Sequence, residues 1–137
     1  MTVLADTGVL VSAADSREPR HADCAKVLRS HHGQMVMSAP VVAETSWMIE
    51  SRLGPKAEAR FLRLVTSGEI EVIDLSLADY LRCVELIETY ADLGLGLVDA
   101  SVVTIAERLS IATIATLNHR DFSVVRPRHV EAFELVP

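Results

Sequence analysis

The sequence predicts a three-layer α/β/α fold around a central parallel sheet. Short apolar runs at residues 2–5, 35–37, 70–74 and 111–116 alternate with helix-length segments of ten or more residues, the rhythm of strand–helix–strand units. Half of the 137 residues are hydrophobic. That is enough to fill the core of one domain spanning residues 1–137 without disulfides or a structural metal.

Residues 2–5 read as a buried strand that ends near Asp6. His21 to Ser30 suits a helix with Ala22, Ala25, Val27 and Leu28 turned inward, and Met35 to Met37 is a short strand. Ser38 can cap the next helix, Pro40 falls in its first turn, and Gly54 stops it after Leu53. Pro55 to Ser67 is another helix, ended by Gly68, and Ile70 to Asp74 alternates like a strand. Ser76 can cap a helix that runs to about Tyr90. Gly94 and Gly96 break the chain, Leu97 to Leu109 is helical, and Ile111 to Thr116 is a strand. Asn118 to Phe122 reads as a loop, and Ser123 to Val125 as a short strand before Pro127. In open parallel sheets, sites form at the carboxyl ends of the strands. Asp6 and the loop after Thr116 are therefore expected to share one edge.

Composition narrows the function classes. There is no run of eighteen apolar residues, so no membrane span is expected. The opening MTVLADTGVLVSAAD carries a carboxylate inside its apolar stretch and no basic segment before it, unlike a secretory signal. A cytoplasmic protein is the expectation. Cys24 and Cys83 match no metal-binding spacing and read as reduced packing residues. The formal net charge of −6 has the wrong sign for a protein that holds phosphates by bulk charge. It is compatible with carboxylates gathered at a cation site, where the bound ion inverts the local field. The cations are almost all arginine, with Lys26 and Lys56 the exceptions.

The informative residues are acids at positions where the pattern calls for apolar side chains. Asp6 lies between Val3-Leu4-Ala5 and Gly8-Val9-Leu10-Val11. It either caps the chain leaving the strand or faces a partner that offsets its burial. Glu44 has Val41, Trp47 and Met48 at i−3, i+3 and i+4, which places it toward the core or a cleft. There it either pairs with an arginine or serves a site. Asp99 has Val102 and Val103 at i+3 and i+4, and reads as a helix cap or as a third inward acid. Asp92, before the Gly94–Gly96 break, is a helix-end residue or an outlying acid, and Asp121 falls in the predicted loop. Several inward carboxylates in one small domain repel one another, and a hard divalent cation with oxygen ligands resolves the conflict. No Cys/His cluster makes zinc the better match.

Taken in order, these residues resemble the motifs of PIN-domain proteins, specifically the VapC toxins of bacterial toxin–antitoxin pairs. Asp6-Thr7 resembles the family's first acid with its following hydroxyl, Pro40-Val41-Val42-Ala43-Glu44 the second acidic position, and Leu97-Val98-Asp99-Ala100 the third. Ile114-Ala115-Thr116-Leu117-Asn118-His119-Arg120-Asp121-Phe122 is similar to the closing motif. One departure stands out. Many relatives carry aspartate where this chain has Asn118, so the fourth position lies between Asn118 and Asp121.

The resemblance implies a metal-dependent endoribonuclease that hydrolyses RNA phosphodiester bonds with Mg²⁺ or Mn²⁺. Asp6 and Asp99 bind the metal directly or through its waters, and Glu44 positions a water or acts as general base. Thr116 and Thr7 orient the acids or a water, or are merely structural. It implies a small VapB-type antitoxin as partner and a homodimer, with the Pro40 to Ser67 helices supplying core and interface. Arg120, Arg126 and Arg128, with His129, are candidates for phosphate contact, or a solvated surface. Trp47 is expected in the core, and His119 beside the site reads as incidental. Two rivals compete. A phosphatase of the haloacid dehalogenase type also begins with a strand ending in aspartate, but here Gly8 and Val9 follow Thr7 where a second acid is normal. A non-catalytic PIN-like module that only binds RNA or antitoxin is the other. No Gly-rich turn after the first strand supports a dinucleotide fold.

Overall fold

A computed structural model describes residues 1–137. Five strands, β1 (Val3–Ala5), β2 (Met35–Ser38), β3 (Ile70–Ile73), β4 (Thr113–Ala115) and β5 (Glu134–Val136), form one sheet in the order β3-β2-β1-β4-β5. Every neighbouring pair is parallel. β1 pairs with β4 in the register Ala5↔Ala115, so their next residues, Asp6 and Thr116, leave the sheet side by side. From β1 the chain steps twice toward β3 and then crosses to β4 on the other side. The order therefore reverses between β1 and β4, where a sheet of this kind opens a crevice.

Seven helices complete the chain: α1 (Thr7–Ala14), α2 (His21–Ser30), α3 (Ala39–Leu53), α4 (Pro55–Thr66), α5 (Leu77–Thr89), α6 (Leu97–Leu109) and α7 (His119–Val124). Their starts follow the capping residues. Ser38 accepts from the Val41 amide, and Ser76 and Asp79 form a reciprocal capping box. Gly54 ends α3 at φ 87°, a left-handed value open to glycine at little cost. The core holds β1 and β2, α6 from Ala100 to Ala106, and both free cysteines, Cys24 and Cys83.

The structure assigns one segment the sequence left open and departs from the reading in two others. Residues 7–14 are helical, although their run TGVLVSAA is apolar on nearly every side and shows no periodicity. Asn118 to Phe122 is not a loop: Asn118 accepts from the Asp121 amide and starts α7. That helix absorbs Ser123 and Val124 and leaves Val125 as its extended C-cap, so the last strand is Glu134–Val136. In α2 the inward residues are Cys24 and Val27, and Ala22 faces solvent.

At the amino ends of the strands an ion-pair network ties α5, α6 and the C-terminal segment together. Arg82 grips Glu107 with two bonds of 2.8 and 2.9 Å. Glu107 also accepts from the Arg128 amide at 2.8 Å, and Glu85 accepts from Arg82 and Arg128. Burial acts to raise the Glu107 carboxyl, but the Arg82 bonds, the Arg128 amide and both guanidinium charges outweigh it and hold it below the usual range. This contribution is present at neutral pH and is lost as acid protonates Glu107. Glu107→Ala leaves Arg82, whose side chain is 16% exposed, with only the solvent-exposed Glu85 as a partner. The expected loss is about 2–3 kcal/mol, below the 3–5 of a fully buried pair because the guanidinium can rehydrate. Urea unfolding at pH 7 and pH 4 measures it, and the difference between variant and parent should shrink at pH 4.

Candidate active site

Asp6 caps α1 from the end of β1. Its Oδ1 accepts from the Thr7 amide at 2.8 Å and its Oδ2 from the Thr116 hydroxyl at 2.9 Å. Burial pushes this carboxyl above the usual range, opposed by those two bonds and reinforced by Glu44. Thr116 is itself a relay, since its oxygen also accepts from the Asn118 amide at 2.9 Å. The strand-end aspartate and the start of α7 are thereby set by one buried hydroxyl.

Glu44 lies on α3, half-buried, and Asp99 in the first turn of α6, whose cap is Gly96 rather than Asp99 itself. Asp6, Thr7, Gly8, Glu44, Met48, Asp99, Leu117 and Asn118 line one open pocket of about 430 Å³. The three acids come from β1, α3 and α6, and their nearness shows in Asp99. Its carboxyl is pushed up to about 6, first by burial and then by the charges of Asp6, Asp121 and Glu44. No three His, Cys, Asp or Glu side chains are already drawn together tightly enough to grip one ion. Mutual repulsion holds like charges apart until a cation offsets it.

The donor set fits a hard divalent cation. Its charged donors are all carboxylate oxygens, and the buried Thr7 hydroxyl beside them has no hydrogen-bond partner. Neither a cysteine nor a histidine lines this pocket, so the thiolate and imidazole ligands of zinc sites are absent from it.

A sequence profile of the PIN domain matches residues 3–126. Ribonuclease VapC26 of Mycobacterium tuberculosis is 32% identical over 135 residues, 98% of this chain and 100% of that protein. The chain belongs to the PIN domain family. Solved structures share the fold at lower identity. Mycobacterium tuberculosis VapC20, described as a sarcin–ricin loop cleaving toxin, superposes with a TM-score of 0.84 at 18% identity, covering 95% of this chain and 99% of that one. VapBC2 from Rickettsia felis, bound to a promoter DNA fragment, gives 0.68 at 20% identity, covering 98% and 97%. FitAcB from Neisseria gonorrhoeae gives 0.61 at 20%, covering 99% and 97%.

Within this PIN domain the remaining candidates part company. Asn118 lines the pocket, but its amide is consumed by Asp121: Oδ1 accepts from the Asp121 amide and Nδ2 donates to Oδ2 at 3.0 Å. Asp121 is buried and also accepts from Arg120 at 3.0 Å. These bonds, Asn118 first, hold its carboxyl below the usual range against burial. Asp92 is exposed in a short 3-10 helix at residues 91–93 and does not line the pocket, nor does His119.

The basic residues are held by different partners. Arg126 donates to the Ser123 carbonyl. Arg128 belongs to the Glu85–Glu107 network, and His129 bonds the Ile111 carbonyl. Glu107 lies eight residues along α6 from Asp99, about 12 Å at 1.5 Å per residue.

Trp47 corrects the sequence expectation. It is 68% exposed because the inner stripe of α3 is Val41, Thr45 and Ile49, and residue 47 lies two positions, or about 200°, from Thr45. Of the three helix neighbours of Glu44, Val41 is buried in the core and Met48 lines the pocket.

Proposed function

We infer that this chain is the toxin of a type II toxin–antitoxin pair, an endoribonuclease that cuts RNA in the cytoplasm with Mg²⁺ or Mn²⁺. The observation that carries this reading is the meeting of Asp6, Glu44 and Asp99, from three separate elements, in one open pocket at the carboxyl end of the sheet. The family match and the identity to Ribonuclease VapC26 support it.

Asp6, Glu44 and Asp99 would hold the ion, with Asn118 at the pocket wall. When bound, the ion supplies a nearby positive charge that favours water ionisation and offsets negative charge on the scissile phosphate. The protein groups do the rest. Glu44 accepts the proton of the attacking water at its carboxylate. Thr116 and the Thr7 amide keep both Asp6 oxygens aimed, and the unpartnered Thr7 hydroxyl is free to orient water or phosphate oxygen. Asp121 acts through Asn118 rather than at the pocket, and Arg120, 81% exposed, is tied to this wall through its bond to Asp121. No helix of the chain is long and apolar enough to cross a membrane.

The partner is a VapB-type antitoxin. An apolar groove of about 330 Å³ between α1, α2 and α4, lined by Leu10, Ala13, Leu28, Phe61 and Leu64 with Arg60 at its side, suits an amphipathic segment. For the homodimer, the outward stripe of α5 is the better surface than α3–α4. Leu77, Leu81 and Val84 are 81%, 62% and 51% exposed there, at helical spacing.

The test incubates purified chain with structured RNA in Mg²⁺, Mn²⁺ or EDTA. Cleavage is expected with either ion and none with EDTA. Binding without cuts would leave only a binding module, and turnover of a small phosphate ester without RNA cleavage would make the chain a phosphatase.

A further inference from the structure

The acids are anchored unequally. Asp6 has two hydrogen bonds of its own, whereas Asp99 meets only burial and the charges of its neighbours, with no hydrogen bond to hold its carboxylate. The backbones of α3 and α6 must therefore set the separation of Glu44 and Asp99. The carboxylates repel each other, and both helices present the positive ends of their dipoles at this edge.

One buried link opposes that separation. Ser38 Oγ and Ser101 Oγ lie 2.7 Å apart, 63 residues apart in the chain, and neither residue has any exposed surface. Ser38 accepts from the Val41 amide at 3.3 Å and Ser101 donates to the Val98 carbonyl at 2.6 Å. The protons then run one way. The Val41 amide donates to Ser38, Ser38 to Ser101, and Ser101 to Val98. This chain joins the first turn of α3 to the first turn of α6. Val98 immediately precedes Asp99, and Ser38 caps the helix that carries Glu44.

Helix stability does not call for serine at position 101. Alanine is the better helix former, and a serine bonded back to its own helix carbonyl slightly disfavours the helix. Ala100 and Val102, its neighbours, are fully buried without polar groups. The hydroxyl is explained by its partner Ser38, the cap of α3.

We propose that Ser101, through Ser38, is a positioning residue that sets the separation of Glu44 and Asp99 for a divalent cation. This rests on the ion-dependent reading of the pocket. The parts that fix a ligand's supports, rather than the ligand itself, typically change ion affinity by about 10–100-fold when removed.

The test is Mn²⁺ titration of the full chain by calorimetry, with melting temperature measured alongside. Ser101→Ala is expected to weaken Mn²⁺ binding about 10-fold. Ile105→Val, one turn further along α6 and fully buried, is expected to lose melting temperature while keeping wild-type Mn²⁺ affinity. If the alanine variant does not fold, Ser101→Cys, which keeps a weak donor and acceptor, replaces it with the same sign of loss. Wild-type affinity in the residue-101 variant overturns the proposal, as does an equal loss in Ile105→Val, which would make the link a matter of stability alone. A wild-type chain that binds no Mn²⁺ overturns the ion-dependent reading itself, and the proposal with it.

Discussion

Asp99→Asn is expected to abolish most RNA cleavage while making the ion-free protein more stable. The two effects share one cause. Asp99 sits half-buried among Asp6, Glu44 and Asp121, and its carboxyl is pushed up to about 6. In the unfolded chain it returns to the ordinary aspartate value of about 3.9. Between these values the folded protein binds more protons than the unfolded one, so ion-free stability falls as pH rises through that window. Above pH 6 the folded protein carries the full cost of the charge, and asparagine removes it. The gain is on the order of 1 kcal/mol at pH 8, less than the whole shift implies because the carboxyl keeps partial solvent contact. Saturating Mn²⁺ reverses the ranking, since an ion at one hundred times its Kd stabilises the wild type by about 2.7 kcal/mol. Cleavage should fall about 10²–10³-fold, the several kcal/mol that a displaced cation contributes. Urea unfolding of both proteins at pH 5 and pH 8, with Mn²⁺ and with EDTA, checks every part. If the variant is no more stable than wild type at pH 8 in EDTA, the crowding of these charges is not what the pocket stores.

The acids were legible because charge inside an apolar pattern is conspicuous. Asp6 interrupts a buried strand exit, and Asp99 repeats with Val102 and Val103 on a helix whose centre is buried on all sides. The strand–helix alternation likewise made the parallel sheet readable, and the capping serines fixed where α3 and α5 begin. What escaped was information carried by contacts distant in sequence. The Ser38–Ser101 link joins positions no local pattern relates. Trp47 misled because it shares helical spacing with Glu44, whereas the true inner stripe is set by the polar Thr45 between Val41 and Ile49. The start of α7 was signalled by an asparagine with an acid three residues on, a capping pattern hidden in a segment rich in loop-forming residues. Why β5 ends the sheet depends on the segment from Arg126 to His129 being held by Tyr90, Glu107 and Ile111, all distant in the chain.

Asp6→Asn isolates charge from structure more cleanly than any other substitution in the pocket. Asparagine caps a helix about as well as aspartate, so its carbonyl oxygen can keep the 2.8 Å bond from the Thr7 amide that starts α1. The other oxygen becomes an amide nitrogen facing Thr116, whose hydroxyl now donates to Asp6 at 2.9 Å. The Thr116 oxygen already accepts from the Asn118 amide. It retains one lone pair for the new N–H, but its own proton loses its acceptor. That unmet donor costs about 1–3 kcal/mol, and release of a buried carboxylate whose burial pushes it above its usual range returns part of it. Net stability should therefore change by about 1 kcal/mol or less, while cleavage falls about 10²–10³-fold. Thr116→Val provides the contrast. It leaves the charge in place but strips the carboxylate and the Asn118 amide of their shared partner, so it should lose more stability than Asp6→Asn and less activity. Single-turnover cleavage and urea unfolding of the three proteins separate the two roles. Cleavage by Asp6→Asn within about threefold of wild type would mean that the carboxylate only caps α1, because that is the one task asparagine performs equally well.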